Sequence, residues 1–457
     1  MPLNINRIQT KLSRLAKNPR QILLHRLLSF TPPQAMTTMA RYKLVNPIAI
    51  ADHMSVNRMW QELKELANIG DELILSNLRA YLGLKPGFLT EEKHKISGTL
   101  AHEIKSVGLL QKLSPEILLS VSRVLGQFSF FEAASACRFA CLGKYALSTH
   151  PGSFQHNAIR AELSGVDVDL LQYFASRYGL SESIFNSLIG FVQKTTVDEL
   201  LKALKSNSKS LQDMRQAELD SGTRKIFEQL VSARVDLAKK TVLLIGPSVR
   251  ASDIISRADF DFVARIGYRG TTSIAGFDEW KTDISFYKDH KLDDLSSAEI
   301  FSIARSLDMM IVSGISSSTL ERFEDIRNVS YSPVSGATLI SAECNAGLEA
   351  VLVFLDAGAS SIYISNTDLF LNSVYPKGYK SNNYNQIGVA DGWVLESEIL
   401  CRSLARHHAP SAQYGVYHAL WRTGRVKGDA VFEDIMKNGL IWYLKRLEET
   451  YHPFLAI

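Results

Sequence analysis

The sequence predicts a two-part fold, in which an all-α helical domain precedes an α/β domain built on a mostly parallel sheet. Through residues 50–235, apolar side chains recur every three or four positions and β-branched alternation is scarce, which favours helices. From Lys240 onward, short β-branched runs alternate with helical stretches, which is typical of a parallel sheet covered on both faces. The length of 457 residues also suggests two or three domains.

The chain divides into a predicted basic amphipathic N-terminal segment at 1–45, the helical domain at 46–238, and the sheet domain with C-terminal helices at 239–457. Residues 5–30 are expected to be helical, and eight Lys or Arg precede the first carboxylate, Asp52. A basic amphipathic helix can bind an anionic membrane surface. The alternative is a helix docked on its own protein, or a basic tail.

Composition excludes some classes of function. A net charge of +4 is too small to indicate nucleic-acid binding. No apolar run reaches the roughly 18 residues that a membrane-spanning helix needs, and the N-terminus lacks the features of a signal peptide. We therefore expect a cytoplasmic protein, attached peripherally to the inner membrane if residues 5–30 bind lipid.

The cysteines predict small buried thiols rather than a zinc site. They include no Cys-x-x-Cys motif and no nearby His pair at ligand spacing. The four residues are Cys137, Cys141, Cys344 and Cys401.

Periodicity predicts the position of each element. The helices predicted in the first half are Val56–Ala67, Asp71–Leu82, Pro115–Leu125, Phe130–Leu147, Asp167–Tyr178, Ser181–Lys194 and Val197–Lys205. The polar stretch Lys205–Ser210 predicts a break, followed by a charged helix at Leu211–Ala238. The predicted strands are Thr241–Ile245, Phe260–Ala264, Ile284–Tyr287, Met309–Val312 and Ser361–Ser365. The later predicted helices are Ser297–Ser306, Gly347–Ala357 and the helical stretch Val394–Leu447.

Three segments at predicted strand ends carry candidate binding residues, because ligands of parallel sheets bind beyond the carboxyl ends of the strands. The turn Gly246-Pro247-Ser248 is either a phosphate-binding turn before a helix N-terminus or an ordinary turn. Arg265 ends a buried strand, where it meets either a phosphate or a structural carboxylate. Asn345 and Asn366 are expected on one rim of the sheet, where amides either read a base or ribose or act as caps.

These segments resemble the donor-binding half of the CMP-sialic acid-dependent sialyltransferases. Leu243–Ser248 resembles their Gly-Asn-Gly-Pro-Ser-like turn, and Asp259–Gly267 resembles their Asp-Phe-Val-x-Arg-x-Asn-like strand end. Gly347–Phe370 is similar to their later helix–strand unit. The resemblance implies a Rossmann-like glycosyltransferase domain that uses a CMP-sugar as donor substrate and needs no further cofactor. The donor-binding residues it implies are Gly246, Pro247, Ser248, Arg265, Gly267, Asn345, Asn366 and Tyr375.

The identity of the base or nucleophile stays open. The catalytic His of the family follows an Ile-Gly pair, whereas Ile387-Gly388 is followed here by Val389. The retaining Kdo transferases, which resemble the sialyltransferases in fold, work through a carboxylate, and this fits a chain without that His. The candidates for acid, base or nucleophile are Glu343, Asp368, Asp391, His407 and His408.

Helix N-termini, Arg265 and Tyr375 are expected to stabilise the departing CMP phosphate without a metal. The rival is a metal-binding Asp-x-Asp motif, for which the chain offers Asp259-Phe260-Asp261 and Asp167-Val168-Asp169.

Two further segments carry less specific signals. The stretch Asn372–Asn385, which contains Tyr375, Tyr379 and Tyr384, is either a lid over the donor or an exposed loop. The basic residues Arg422, Arg425 and Lys427 either bind an acidic acceptor or form a solvated face.

Three functions are compatible with these observations. The first is a glycosyltransferase that moves sialic acid, Kdo or a related nonulosonate from a CMP-activated donor to a bacterial surface glycan or lipid-linked acceptor. The second is a protein-modifying nonulosonate transferase of the flagellin-modifying kind, in which the helical half recognises a protein. The third is a non-catalytic interaction protein that kept a nucleotide-binding fold but lost the chemistry.

Overall fold

The structure of the protein is a computed structural model, and part of the chain is described by it. The described residues are 101–102, 104–105, 109–127, 129–192, 196–217, 219–233, 236–248, 255–270, 280–288, 291–292, 295–313, 317–332, 339–340, 342, 344–371 and 408–451. The basic segment at 5–30 and the predicted helices Val56–Ala67 and Asp71–Leu82 lie outside these residues.

A helical region comes first in the described part of the chain. Its helices are α1 Leu109–Lys112, α2 Pro115–Gln127, α3 Phe131–Ser148, α4 Phe154–Leu163, α5 Val168–Tyr178, α6 Glu182–Val192, α7 Val197–Ala217 and α8 Ser221–Ser232. Every residue of α3 from Phe131 to Gly143 is buried, so this helix forms the centre of the region. Within the described ranges, no helix is both long enough and apolar enough to cross a membrane.

A seven-stranded, all-parallel sheet follows the helical region. Its strands are β1 Thr241–Ile245, β2 Phe262–Ile266, β3 Ile284–Lys288, β4 Met309–Ser313, β5 Val329–Ser332, β6 Ser361–Ser365 and β7 Val426–Gly428. The helices that accompany them are α9 Ser297–Ser306, α10 Ser317–Leu320, α11 Ala346–Asp356, α12 Pro410–Arg422 and α13 Ala430–Tyr451. The prediction of a helical region followed by a parallel, Rossmann-like α/β arrangement is therefore confirmed.

The strand order is β5-β4-β3-β2-β1-β6-β7, and every neighbouring pair is parallel. From β1 the chain builds the sheet outward through β5 on one side, and it then returns to add β6 on the other side of β1. The order therefore reverses between β1 and β6. Sheets of this kind bind ligands in the crevice beyond the carboxyl ends of the strands at such a reversal.

Strand β1 is buried on both faces, as central strands of parallel sheets usually are. Val242 and Leu244 belong to the large core that also contains Leu348 of α11 and most of the helical region. Leu243 and Ile245 belong to a smaller core on the opposite face. Because β1 is packed on both faces, the position of its carboxyl end is fixed within the sheet.

The predicted strand Phe260–Ala264 begins two residues too early, because β2 spans Phe262–Ile266. Arg257–Asp259 forms a 3₁₀ turn, and Phe260 terminates that turn. Asp261 is held at the start of β1, where its carboxylate accepts a hydrogen bond from the Thr241 N–H (2.8 Å). Capping of this turn, which is a local polar effect, therefore delays the strand.

The predicted break at Lys205–Ser210 is wrong, because α7 runs without interruption from Val197 to Ala217. Asn207 in the middle of this polar stretch accepts a hydrogen bond from Asn157 Nδ2 through its Oδ1 (3.1 Å) and donates one to Phe154 O (3.2 Å). These tertiary hydrogen bonds offset the weak helix propensity of the Ser and Asn residues.

The predicted helix Leu211–Ala238 is also wrong as a single element. Helix α7 ends at Ala217, and α8 begins at Ser221 after the N-cap residue Asp220. The Asp220 carboxylate accepts hydrogen bonds from the backbone N–H groups of Gly222 (2.9 Å) and Thr223 (3.0 Å). This cap starts a new helix inside the charged stretch.

The helical stretch predicted at Val394–Leu447 is interrupted by β7, which pairs with β6 in the register Ile362–Val426. Strand β5 was not predicted either, and it lies at the opposite edge of the sheet. Both are short edge strands of three and four residues, so their own sequences carry little periodic signal. Pairing with a strand already in the sheet decides their conformation.

A buried ion pair joins the helical region to the chain that leads into α11. Arg138 of α3 makes two hydrogen bonds with the Glu162 carboxylate of α4, at 2.7 and 2.8 Å. Arg138 also donates to Ile340 O (2.5 Å), and the Ile340 N–H donates to Glu162. We call Arg138, Glu162 and Ile340 the seam, and its charged groups are paired with each other and with backbone.

Candidate functional site

The end of β1 lies against the end of β6. The Gly246 N–H donates to Ser365 O (2.8 Å), and the Ser248 N–H donates to Asn366 O (2.9 Å). A Cβ on Gly246 would overlap Asn366 O and Thr367 Oγ1, so only glycine fits at this position. The sequence predicted close approach of a ligand here, whereas the structure shows that the glycine first permits close approach of the neighbouring strand end.

Ser248 connects the turn after β1 with Asp368 after β6. The Ser248 hydroxyl donates to Asp368 Oδ2 (3.2 Å), and Asp368 Oδ1 accepts from the Phe370 N–H (3.1 Å). Pro247 lies half-buried inside the same turn. Two segments separated by 120 residues therefore meet at the strand-order reversal.

Asn366 occupies the position directly after β6, in a left-handed conformation with φ of 53° that asparagine tolerates well. Its backbone N–H donates to Asp429 Oδ2 (2.8 Å). The side chain is only 2% exposed, and neither its amide nitrogen nor its amide oxygen has a hydrogen-bond partner among the described residues. A buried amide without partners is costly, and a ligand that supplies them removes this cost.

Asn345 is the N-cap of α11. Its side-chain oxygen accepts from the Leu348 N–H (2.7 Å), and its own N–H donates to Gln413 Oε1 (2.9 Å). The interpretation of Asn345 as a helix cap is therefore correct. Recognition of a base or ribose by its side-chain amide stays a prediction. We use the name rim for residues 246–248, 345–347 and 366–368, which lie at the carboxyl ends of β1 and β6 and at the start of α11.

Gln413 brings His408 close to the rim. Its side-chain nitrogen donates to His408 O (2.5 Å), while its side-chain oxygen accepts from Asn345. The His408 ring stacks on Phe370, with centroids 5.4 Å apart. Of the candidates for acid, base or nucleophile, Asp368 and His408 are therefore placed at this site. Glu343, Asp391, His407 and the donor-binding candidate Tyr375 lie outside the described residues.

Arg265 lies near the end of β2, beside Ile245 of β1, and is only 2% exposed. Its guanidinium donates to Trp280 O (3.3 Å), and its contact with a phosphate stays a prediction. Gly267 follows β2 with φ of 66°, and its N–H donates to Phe286 O (2.9 Å). Glycine adopts this left-handed conformation without strain.

A buried charged cluster beside the rim was missed by the sequence analysis. Lys288 at the end of β3 donates to Cys344 O (2.7 Å) and lies 3.6 Å from Glu349 Oε2. Ser313 at the end of β4 donates to the same Glu349 oxygen (3.2 Å). Two features of the sequence could have indicated this cluster. They are a lysine that ends an apolar strand and a glutamate inside an apolar helix.

The Asp-x-Asp candidates lie elsewhere. Asp261 is at the amino end of β2, where the Thr241 N–H and the Lys240 ammonium hold the pKa of its carboxyl below its usual range. Asp167 caps α5 by accepting from the Leu170 N–H (2.7 Å). No group of three His, Cys, Asp or Glu that could hold a metal ion occurs in the part of the chain that the structure describes.

The basic residues near the C-terminus lie at the amino edge of the sheet. The Arg425 carbonyl accepts from the Ile362 N–H at the start of β6, and its guanidinium donates to Ala359 O (3.1 Å). Arg422 and Lys427 are exposed close by. This edge is opposite to the rim.

The cysteines that the structure describes are free and buried. They are Cys137, Cys141 and Cys344. Burial raises the pKa of the Cys137 thiol, which keeps it protonated and unreactive. Cys401 lies outside the described residues.

The geometry brings the predicted turn and strand end together at one rim and adds His408, Gln413 and Asp429 from the C-terminal part of the chain. Searches against known protein families, curated proteins and solved structures found no match.

Proposed function

We propose that this protein is a glycosyltransferase that moves sialic acid, Kdo or a related nonulosonate from a CMP-activated donor to a bacterial surface glycan or lipid-linked acceptor. The observation that carries the proposal is the rim itself. Gly246, Ser248, Asn366 and Asp368 converge at the reversal of strand order, and the buried Asn366 amide has no partner among the described residues. This is the position at which parallel α/β sheets bind nucleotides.

The start of α11 is suited to the phosphate of such a donor. A helix N-terminus carries partial positive charge and unpaired N–H groups, which bind phosphate oxygens. In the proposed complex the Asn366 amide hydrogen-bonds the base or ribose, and the N–H groups at the start of α11 stabilise the departing CMP phosphate. CMP-sugar is the donor substrate, and the proposed reaction needs no metal.

The bond to the leaving phosphate weakens as an oxocarbenium-like sugar develops, and a second group must then complete the transfer. His408 is proposed as a base that removes the proton of the acceptor hydroxyl. Asp368 is the alternative, as a carboxylate that attacks or stabilises the sugar. The first route inverts the configuration of the sugar, and a covalent route through Asp368 retains it.

The test is a thermal-shift series with CMP, CMP-Kdo and UDP-sugars, because a ligand that binds the folded state raises its apparent stability. The proposal predicts a shift with the two CMP compounds. A shift with UDP-sugars alone would contradict the CMP assignment. CMP binding without transfer to any glycan or protein acceptor would favour a non-catalytic role.

Asn366→Gly is the matched variant for this test. Glycine keeps the left-handed backbone at position 366 without strain while it removes the amide. We expect the variant to melt at a temperature close to that of the unliganded wild type, and to lose most of the shift with CMP. An unchanged CMP shift would remove Asn366 from the binding site.

Peripheral attachment to an anionic inner-membrane surface through residues 5–30 is part of the proposal. Sedimentation of the full chain and of a chain lacking residues 1–35 with anionic lipid vesicles tests it. Equal sedimentation of the two proteins would contradict it.

A further inference from the structure

Tyr417 of α12 is a buried tyrosine whose hydroxyl has no hydrogen-bond partner among the described residues. Its ring contacts the Phe432 ring edge-on, with centroids 5.7 Å apart. The phenol is therefore packed within the protein interior. Nothing in the sequence analysis distinguished Tyr417 from a core aromatic.

The Tyr417 hydroxyl lies at the start of α11. A Cβ built on Gly347 would be 3.1 Å from the Tyr417 oxygen and 3.3 Å from Asn345 Oδ1. Gly347 is the second residue of α11 and is half-buried, so it lies where the helix start meets the surface.

The first turn of α11 leaves two N–H groups unused within the helix. The Asn345 side chain accepts a hydrogen bond from the Leu348 N–H, and the Asn345 backbone carbonyl accepts one from the Glu349 N–H. The N–H groups of Ala346 and Gly347 have no acceptor inside the helix, because none precedes them there. The start of α11 therefore has two backbone donors that the helix does not use, and the Tyr417 hydroxyl lies beside the second of these residues, Gly347.

We infer that Tyr417 binds a phosphate, and that its hydroxyl donates a hydrogen bond to an oxygen of the phosphate that the α11 N–H groups hold. This inference rests on the proposed function and assigns a residue of the same site that reads the phosphate of the nucleotide. It also explains why position 347 is glycine, because a side chain there would fill the space beside the hydroxyl.

The surroundings suit a donor to an anion. Burial raises the pKa of Tyr417 well above its usual range, so the phenol keeps its proton and acts as a donor. The Lys288 ammonium lies 2.7 Å from Cys344 O, one residue before the α11 cap. This cation also offsets the negative charge of Glu349 in the first turn of α11.

The experiment compares CMP with cytidine on wild type and Tyr417→Phe by isothermal titration calorimetry. Loss of a hydrogen bond to a charged group is expected to weaken CMP binding by about 10- to 100-fold. Cytidine lacks the phosphate, so its affinity should stay the same. The unliganded variant should melt at or above the wild-type temperature, because it loses a buried hydroxyl that has no partner.

Tyr414→Phe is the control on the same helix. Its hydroxyl donates to Met436 O (3.3 Å), so its loss should lower the melting temperature while the ratio of CMP to cytidine affinity stays at the wild-type value. Gly347→Ala is a second variant, whose methyl group occupies the space beside the Tyr417 hydroxyl. It should weaken CMP binding and leave cytidine binding unchanged.

Several outcomes overturn the inference. Tyr417→Phe with wild-type affinity for CMP, or with an equal loss for CMP and cytidine, shows that the hydroxyl does not read the phosphate. A clear fall in the melting temperature of unliganded Tyr417→Phe shows that the hydroxyl has an internal partner. Absence of binding of CMP, UMP, ADP and inorganic phosphate to wild type also overturns it.

Failure of the proposed function has a different signature. If UMP or ADP binds and CMP does not, the CMP assignment is wrong. Weaker binding of that other nucleotide to Tyr417→Phe would still support a phosphate-binding Tyr417.

Discussion

The seam and the rim both contain buried polar groups, but these groups differ in whether they have hydrogen-bond partners. At the seam, Arg138 and Glu162 pair with each other, and both also bond the backbone of Ile340. At the rim, the Asn366 amide is buried without a partner among the described residues, and so is the hydroxyl of Ser365, the residue directly before it. Tyr417 beside the rim shares this property.

We propose that this difference distinguishes a structural contact from a binding site. A buried polar group that is fully hydrogen-bonded stabilises one arrangement of the chain, whereas an unsatisfied one costs free energy in the unliganded protein. Folding alone gives no reason to leave Ser365 and Asn366 unsatisfied at the end of β6, or Tyr417 unsatisfied beside the start of α11. A ligand that supplies hydrogen-bond partners for these groups would give a reason to keep them. The following variants test the contrast between the seam and the rim.

The largest effect is expected at the seam from Arg138→Met. The variant leaves the Glu162 carboxylate buried without its cation, and loss of one partner of a buried pair costs about 3–5 kcal/mol. The shift of the urea midpoint measures this loss of stability. Lys437→Ala is the control, because Lys437 is exposed and its ion pair with Glu433, four residues earlier in the helix, contributes up to about 0.5 kcal/mol. Equal effects of the two variants would show that the seam is not a buried pair in solution.

Another contact, between the helical region and α13, predicts that stability depends on pH. Glu448 accepts a hydrogen bond from the Glu132 N–H (2.8 Å). Burial, and secondarily the Glu132 carboxylate, raise the pKa of Glu448 from 4.5 to about 7, while the Glu132 N–H and Lys105 oppose the rise. Because the folded-state pKa is above the unfolded-state value, folding takes up a proton between these two pH values. The added stability is fully present below about pH 4.5 and is lost as the pH rises to about 7.

Glu448→Gln should remove this dependence, since it keeps the acceptor oxygen and cannot ionise. Between these pH values, the stability of wild type relative to the variant should fall by roughly 2–3 kcal/mol as the pH rises. Melting temperatures of both proteins across the range measure it. Parallel pH profiles would show that Glu448 does not titrate in this window.

At the rim, Gly246→Ala should force the ends of β1 and β6 apart. The added methyl group overlaps the Asn366 carbonyl, and such overpacking costs about 1–3 kcal/mol. CMP binding should be lost as well, because the Asn366 amide moves. Gly190→Ala in α6 is the control, because no atom lies within 4 Å of the new methyl group and alanine raises helix stability by up to about 1 kcal/mol. A Gly246→Ala protein with normal stability would remove this close approach from the argument.

The smallest effect comes from two buried serines that differ only in their partners. Ser285 donates to Arg265 O (3.0 Å) and accepts from the Tyr268 N–H (3.1 Å), so Ser285→Ala should cost about 1–2 kcal/mol. Ser365 has no partner among the described residues, so Ser365→Ala should be neutral or slightly stabilising without ligand. Chemical denaturation of the unliganded variants measures both. Equal destabilisation would mean that an internal partner satisfies Ser365 and that the contrast between rim and seam does not hold there.

The sequence was most informative where local chemistry is sufficient. The prediction of Phe130–Leu147 as a helix differs from α3 by one residue at each end, because its small and apolar residues favour a buried helix throughout. The alternation of β-branched runs with helices predicted the parallel sheet, and the polar residues at strand ends were expected on one edge. Ser248, Asn366 and Asp368 do lie together there.

Contacts between distant parts of the chain decided the rest. Asn207 continues α7 through its polar stretch because it bonds Asn157, and β7 is a strand because β6 offers it an open edge. Tyr417, Gln413 and Asp429 reach the rim from a C-terminal segment whose pattern predicts only helix. Periodicity and propensity report which side chains a segment buries, and they carry no information about the partner that each buried polar atom finds. Only the folded chain shows which of these atoms have a partner among the described residues and which do not.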